Sequence, residues 1–219
     1  MTTPDYQRLR AYYERCLDAH GATLQGVDWP RAADAATRYA VMRGLVRPQG
    51  EAFSILDVGC GPGFFHDALE GHFAPGAFAY HGIDISPAMV AAAKARRPHI
   101  NVEARDLVAA PLPGQSVDYA VLNGVFTVRE RLSEAAMLAF AEALLASVFN
   151  SCRMGLAVNF MAPHADWRDD KLFYLSLDKA MQLFKARLSR HVVLRLDYGL
   201  WEYTAYVYRQ PATSSVTKS

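Results

Sequence analysis

The feature that most constrains the fold of this chain is a glycine-rich segment that directly follows an apolar run. Residues 55–65 read ILDVGCGPGFF, in which Gly59, Gly61 and Gly63 alternate behind Asp57. Glycines at this spacing let a strand turn sharply and let a ligand approach the backbone closely, because they carry no Cβ. The helix that follows would present free N–H groups to polar atoms of that ligand. The segment therefore predicts a strand–turn–helix unit that binds a nucleotide-like molecule.

The spacing of these glycines differs from the dinucleotide fingerprint G-x-G-x-x-G. Phe64 takes the sixth position, and the third glycine comes one residue early. Asp57 stands where a dinucleotide fold usually keeps an apolar residue, and a carboxylate there would repel a pyrophosphate but attract a cation. The pattern D-x-G-x-G-x-G resembles the first motif of the class I S-adenosylmethionine (SAM) methyltransferases, whose cofactor carries a sulfonium and an ammonium group and no phosphate.

Polar residues follow three further predicted strands. Residues 78–85 read FAYHGIDI and predict a strand that ends at Asp84. Asp84 lies about 20 residues after Gly63, which is the offset at which an acid meets ribose hydroxyls in nucleotide folds. Asp106 follows a short strand at 100–104, and Asn123 follows a turn and strand over 112–122. Because ligands bind at the carboxyl ends of the strands in open α/β sheets, we expect these side chains to share one crevice.

The resemblance covers roughly residues 50–210 and implies a role for each of these side chains. Asp84 would bind the ribose, and Asp106 would hold the adenine amino group. Asp57 would fix the loop and place negative charge near the methionine ammonium, while Asn123 would face the methionine end. Ile85 and Leu107 would enclose the adenine ring, and Arg38 would pair with the methionine carboxylate. The predicted cofactor contacts are Asp57, Gly59, Gly61, Gly63, Asp84, Ile85, Asp106, Leu107, Asn123 and Arg38.

Two predicted helices, over residues 4–20 and 29–47, precede the first strand. Asp28 is the expected N-cap of the second helix, since Pro30 follows it closely. In small-molecule methyltransferases of the resembling type, helices in this position form a lid over the crevice. The chain is therefore expected to divide into a helical lid (1–49), a SAM-binding core (50–210) and a disordered polar tail (211–219).

The carboxyl-terminal half continues with a long amphipathic helix over 130–152, a buried strand over 155–161 and a helix over 176–188. Two last strands, 191–198 and 202–209, are separated by a short turn at Gly199, and so short a connection requires an antiparallel pair. The predicted fold is an α/β, Rossmann-like, doubly wound sheet of seven strands. It is mostly parallel, with a C-terminal antiparallel hairpin.

Composition limits the partners of the chain. It has 219 residues, of which 52% are hydrophobic, and its net charge is +1, so neither nucleic acid nor an anionic membrane is expected as a partner. The start of the chain is polar and charged, and no run of 18 apolar residues occurs. The three cysteines have no metal-ligand spacing and fit a reducing cytoplasm. We expect a cytoplasmic monomer or homodimer without a metal.

The acceptor is constrained mainly by the motifs that the chain lacks. Family members that methylate nucleobase amines or glutamine often carry N/D-P-P-Y/F/W after the fourth strand, but residues 123–126 read NGVF. A small molecule is therefore expected to be methylated, at an oxygen or nitrogen atom of a sugar, a natural-product intermediate or a small acid. A general base is needed only if the acceptor atom holds its proton at neutral pH, and His164, just after the fifth strand, is the candidate.

Two other classes of function remain open at this point. One is a nucleotide- or NAD-dependent Rossmann enzyme, which the early third glycine and Asp57 disfavour. The other is a non-catalytic partner subunit that binds SAM, which the intact glycine loop and Asp84 disfavour.

Overall fold

The computed structural model describes residues 5–47 and 51–212, and it contains one mixed sheet of seven strands. The strand order across the sheet is β3-β2-β1-β4-β5-β7-β6. The strands are β1 (Phe53–Val58), β2 (Phe78–Asp84), β3 (Val102–Ala104), β4 (Val117–Leu122), β5 (Cys152–Met161), β6 (His191–Arg195) and β7 (Glu202–Tyr208). The helices are α1 (Gln7–His20), α2 (Ala32–Arg43), α3 (Phe64–Glu70), α4 (Pro87–Arg96), α5 (Glu134–Ser151) and α6 (Leu177–Arg187), with a short 3-10 helix at Gln25–Val27.

The central strand β1 shows why the sheet is wound on both faces. Its neighbours β2 and β4 both run parallel to it. Successive residues of a strand point to opposite faces, so Ile55 packs into one apolar core and Leu56 into the other. Both side chains are fully buried, as expected for a parallel sheet that is covered by helices on each side. The predicted doubly wound sheet is confirmed.

The antiparallel strand β7 lies between β5 and β6, which confirms the predicted C-terminal hairpin. Its first residue, Glu202, pairs with Met161 at the end of β5. An antiparallel strand enters the sheet at the edge where its parallel neighbours end. The beginning of β7 therefore lies at the same edge of the sheet as the carboxyl ends of β1, β2 and β4.

Several predicted boundaries are wrong. The second helix begins at Ala32, because Asp28 ends the 3-10 helix in a left-handed conformation (φ +59°) and does not cap α2. Helix α5 begins only after Ser133, whose hydroxyl accepts a hydrogen bond from the Ala136 amide. Strand β6 ends at Arg195, so the hairpin connection runs from 196 to 201 and is longer than the predicted turn. The boundary near residue 49 and the tail from 213 onwards lie outside the described residues.

The end of α2 is fixed to the sheet by two buried tyrosines of β7. The Tyr206 hydroxyl donates a hydrogen bond to the Val41 carbonyl, and the Tyr208 hydroxyl donates one to the Leu45 carbonyl. These contacts join the N-terminal helices to the strand that begins at Glu202.

Helix α5 is long and apolar enough to cross a membrane by length and composition alone. In this fold it packs against β4, β5 and α6, and it buries Met137, Ala141, Leu144, Leu145, Val148 and Phe149. Core helices commonly pass the same test, so one such helix is weak evidence for a span.

Gly63 offers a test of how the turn between β1 and α3 is packed. A Cβ at Gly63 (φ +81°) would lie 2.8 Å from Ile100 Cδ1, whereas a Cβ at Gly76 (φ +79°) would meet nothing within 4 Å. Left-handed backbone costs alanine about 1–2 kcal/mol at either site, and overpacking adds about 1–3 kcal/mol at Gly63 only. Gly63→Ala is thus expected to lower the free energy of unfolding in urea more than Gly76→Ala. Equal losses would contradict this packing.

Candidate active site

The glycine loop is shaped by the end of strand β2. Gly59 and Gly61 have φ values of +71° and +49°, which favour glycine. The amide groups of Gly59 and Cys60 both donate to the Ile83 carbonyl, at 2.7 and 3.1 Å. The Gly61 amide donates to Asp84 Oδ2 at 2.9 Å. The loop conformation is therefore fixed by hydrogen bonds to the neighbouring strand.

Asp84 is held from both sides by backbone amides. Its Oδ2 accepts from Gly61, and its Oδ1 accepts from the Ser86 amide at 2.9 Å. Burial raises the pKa of Asp84 above its usual range, and the two amide donors partly offset that rise. Each carboxylate oxygen can accept about two hydrogen bonds, so each keeps capacity for a ribose hydroxyl.

Asp57 is a buried acid beside the glycine loop. Its side chain is 2% exposed, and Tyr80 donates a hydrogen bond to Oδ2 at 2.7 Å. Desolvation raises the pKa of Asp57 to about 7, the negative charge of Asp84 adds to the rise, and the Tyr80 hydroxyl opposes it. A cation placed beside Asp57 would stabilise the carboxylate and lower that pKa.

Asp106, which follows β3, is fully occupied by hydrogen bonds. Its Oδ1 accepts from the amides of Val108 and Ala109, at 3.0 and 3.3 Å. Its Oδ2 accepts from the Tyr6 hydroxyl at 2.9 Å and from Gln7 Nε2 at 3.1 Å. Four donors use the acceptor capacity of a carboxylate. An adenine amino group that binds Asp106 must therefore displace a donor at the start of α1.

Asn123 presents unpaired polar atoms at the end of β4. Among the described residues, neither its amide nitrogen nor its amide oxygen has a hydrogen-bond partner, and both atoms are buried. The next residue, Gly124, donates its amide to Asn159 Oδ1 at 2.8 Å, which fixes this turn. Buried polar atoms are normally satisfied, so the Asn123 amide group has hydrogen-bonding capacity that a ligand could use.

One cavity at the carboxyl edge of the sheet brings most of the predicted residues together. It is also lined by residues of the N-terminal segment, including Tyr6, Tyr13 and Trp29. The predicted cofactor contacts that line it are Asp57, Gly59, Gly61, Asp84, Ile85, Asp106, Leu107 and Asn123.

Three predicted residues are not among those that line the cavity. Gly63, at the start of α3, packs against the Ile100 side chain. Arg38 donates from Nε to both carboxylate oxygens of Glu202, at 3.0 Å each. His164 is exposed in the turn after β5. Their predicted roles as a cofactor contact, a methionine partner and a general base stay predictions.

Sequence reasoning missed Glu202 and the first turn of α1. Glu202 is 3% exposed and lies at the crevice edge because β7 is antiparallel. The sequence places an acid at the first position of the last predicted strand, and this position could have predicted an acid at the crevice edge. Tyr6 and Gln7 reach Asp106 across about 100 residues of chain, and nothing in the local sequence indicates that contact.

Three side chains of the kinds that bind metal ions, His66, Asp67 and Glu70, lie close together on α3. None of them lines the cavity. Asp67 already pairs with Arg96 and Arg97, at 2.6 and 3.0 Å, and these cations supply the positive charge that the carboxylate needs. We therefore assign no metal to this cluster.

A family model described as a methyltransferase domain matches residues 55–147, which include the glycine loop and Asp84, Asp106 and Asn123. The Mycobacterium tuberculosis protein Rv1506c is 36% identical to this chain over 163 residues. Its name assigns it provisionally to the methyltransferases. That alignment covers 72% of this chain and 93% of the relative. The chain belongs to the class I SAM-dependent methyltransferases.

Solved structures share the fold of this methyltransferase. A SAM-dependent methyltransferase from Aquifex aeolicus is 16% identical, with a TM-score of 0.58 over 81% of this chain and 93% of the other. The magnesium protoporphyrin IX methyltransferase of Synechocystis with bound S-adenosylhomocysteine (SAH) is 15% identical, with a TM-score of 0.61 over 94% of this chain and all of the other. A Burkholderia thailandensis 1,6-didemethyltoxoflavin-N1-methyltransferase is 14% identical, with a TM-score of 0.60 over 96% and 92%.

The site of this methyltransferase fits a cationic cofactor. Two carboxylates lie beside the glycine loop, the buried Asp57 and the partly buried Asp84, where a pyrophosphate would need positive charge or free amide groups. The amide of Gly61, which a phosphate could use, already donates to Asp84. These donors and charges match a ligand with an ammonium, a sulfonium and ribose hydroxyls.

Asp57→Asn is expected to stabilise the cofactor-free protein at pH 8 and to weaken SAH binding. The folded-state pKa of about 7 lies above the ordinary value, so the folded protein keeps a proton that the unfolded chain has lost. Wild-type stability therefore falls as the pH rises from about 4 to 7, and it stays reduced above that window. Asparagine has no such proton to lose. Urea unfolding at pH 5 and pH 8 measures the difference, and calorimetry measures SAH affinity.

Asp118→Asn is the matched control on strand β4. Burial of Asp118 is outweighed by hydrogen bonds from Arg153 and Ser54, so its pKa is lowered and its charge stabilises the fold. This control is expected to lose stability at pH 8. If Asp57→Asn also lost stability at pH 8, the electrostatic cost assigned to Asp57 would be refuted.

Tyr6→Phe is expected to tighten SAH binding about 2- to 10-fold. The change removes a donor that competes for Asp106 and keeps the ring, which stacks on Phe140 with centroids 4.7 Å apart. One hydrogen bond is worth about 0.5–1.5 kcal/mol. Tyr12→Phe is the control, because Tyr12 lies on the same helix and donates to Asp28. Weaker SAH binding by Tyr6→Phe, measured by calorimetry, would show that the hydroxyl assists the cofactor.

Proposed function

We propose that this protein transfers the methyl group of SAM to an oxygen or nitrogen atom of a small molecule. The observation that carries the proposal is the single cavity in which Asp57, Asp84, Asp106 and Asn123 converge beside the glycine loop. Neighbours of the same fold are named for small acceptors, magnesium protoporphyrin IX and 1,6-didemethyltoxoflavin. The chain's own N-terminal segment lines the cavity, which also favours an acceptor of limited size.

The residues of the cavity would each bind one part of the cofactor. Asp84 would accept hydrogen bonds from the ribose hydroxyls, and Asp57 would lie near the ammonium group. Asp106 would hold the adenine amino group, with Ile85 and Leu107 against the ring. Asn123 would use its unpaired amide at the methionine end.

SAM supplies a methyl group on a positively charged sulfur, so the donor is already activated. The remaining task of the protein is to align the acceptor with that methyl group and to exclude water. Alignment of this kind can lower the activation barrier by about 7–11 kcal/mol. A general base is required only for an acceptor that holds its proton, and His164 stays the predicted residue for that case.

The proposal also covers the lid, the cellular location and the oligomeric state of the protein. Residues 1–49 would act as a lid over the 50–210 core, since Tyr6 and Gln7 contact Asp106. All three cysteines are free, which supports a cytoplasmic location. The protein would act as a monomer or homodimer, with no nucleic acid or membrane partner.

Asp84→Asn is expected to weaken SAH binding about 100-fold, because charged hydrogen bonds to the ribose are lost, each worth about 1.5–3 kcal/mol. The change keeps the size of the side chain and leaves one oxygen to accept a backbone amide. Asp178→Asn on the exposed side of α6 is the control. Calorimetry with SAH and with NAD tests the proposal in the wild type. Binding of NAD without SAH would refute it, and unchanged SAH affinity in Asp84→Asn would refute the placement of the ribose.

A further inference from the structure

Two groups of residues that line the cavity can be distinguished. The adenine end contains Asp106, Leu107 and the Tyr6–Phe140 stack. The cavity is also lined by Asn123 and by an aromatic wall, which we define as Tyr13, Trp29, Tyr39 and Phe65. Trp29 of this wall lies against Gly124, the residue after Asn123. Because Asn123 is the residue proposed for the methionine end of the cofactor, the wall would lie near the transferred methyl group.

Three rings of the aromatic wall form a continuous row. The ring centroids of Trp29 and Tyr39 are 5.6 Å apart, and those of Tyr39 and Phe65 are 6.0 Å apart. Neighbouring rings are tilted by 45° and 37°. Aromatic side chains contribute large apolar contact areas and favour offset or tilted contacts with another ring.

The position of Trp29 is fixed before any ligand binds. The Arg38 guanidinium carbon lies 5.1 Å from the centroid of the Trp29 ring, and Arg38 is itself paired with buried Glu202. A Cβ at Gly124 would lie 2.8 Å from Trp29 Cζ2, so the indole packs closely on the turn that follows Asn123. A preformed surface of this kind lowers the entropic cost of binding a ligand.

The wall carries few polar groups. Within the part of the chain that the structure describes, the Tyr13 and Tyr39 hydroxyls and the Trp29 indole N–H form no hydrogen bond. Burial raises the pKa of both tyrosines far above the usual value, so their hydroxyls stay protonated and can donate. The wall thus offers a few neutral hydrogen-bonding groups within a mainly apolar surface.

The charged side chains that line the cavity are not part of the aromatic wall, and they either form ion pairs or are assigned to the cofactor. Arg10 pairs with Glu14 at 2.8 Å, and Arg105 pairs with Glu103 at 3.2 Å. The carboxylates that line the cavity, Asp57, Asp84 and Asp106, are assigned to the cofactor. A sugar would bury several hydroxyls against this wall, and each hydroxyl that stays unpaired would weaken binding. A phosphorylated acceptor would find no free cation on the wall.

We propose that the acceptor is a planar aromatic molecule with one or two polar substituents, and that it binds against Tyr13, Trp29, Tyr39 and Phe65. This inference rests on the proposed function and narrows its acceptor to one chemical class. The aromatic ring would stack on the row, and its substituents would bond to the tyrosine hydroxyls or the indole N–H.

Saturation-transfer NMR on the full chain saturated with SAH tests this inference. The probes are 7-hydroxycoumarin, 2-naphthol and hydroxyquinolines, with methyl glucoside and sucrose as non-aromatic probes. We expect saturation transfer to the aromatic probes alone. Trp29→Leu should weaken their binding at least tenfold, and Trp29→Phe should restore most of it. Trp201→Leu is the matched control, because Trp201 is exposed and does not line the cavity.

The outcomes separate this inference from the proposed function. SAH binding without binding of any aromatic probe, or glucoside binding that Trp29→Leu abolishes, would overturn the inference and leave SAM binding intact. Aromatic binding that is equal in Trp29→Leu and Trp201→Leu would also overturn it, since the probes would then bind elsewhere. Failure of wild-type protein to bind SAH would instead refute the proposed function.

Discussion

The rest of the site depends on the hydrogen bonds that the partly buried carboxylate of Asp84 accepts from two backbone amides. Through Gly61 it holds the turn after β1, and through Ser86 it holds the turn after β2. Both turns lead into helices whose N-termini face the crevice. Loss of this carboxylate would therefore affect the shape of the glycine loop as well as a ligand contact, and the two effects have to be measured separately.

The electrostatics of the crevice favour a cation before one is present. Asp57 is buried and Asp84 is partly buried beside the same loop, and desolvation of Asp57 together with repulsion from Asp84 raises the pKa of Asp57. Keeping such groups in the folded protein costs stability, which a positively charged ligand would recover. The same two acids explain why a loop with the general form of a nucleotide site is unsuited to a pyrophosphate.

Residues of the N-terminal segment line the cavity. Tyr6 and Gln7 donate hydrogen bonds to Asp106, and Trp29 packs on Gly124 and against Arg38. The Arg38–Glu202 pair links this segment to β7, the antiparallel strand. In the proposed function, this one segment, which precedes β1 in the chain, would control both the access of the cofactor to Asp106 and the shape of the acceptor site.

The sequence by itself determined the local features, because spacing and turn chemistry act over a few residues. These features are the strand–loop–helix at 55–65, the acids that end β2 and follow β3, and the antiparallel hairpin. The doubly wound sheet was expected from the family resemblance that these motifs carry. Tertiary structure decided what long-range contacts control. Asp28 accepts a hydrogen bond from Tyr12 instead of capping α2, Arg38 pairs with Glu202, and His164 lies outside the cavity lining. Such pairings join residues far apart in sequence, and they depend on where whole helices pack, which no local pattern specifies.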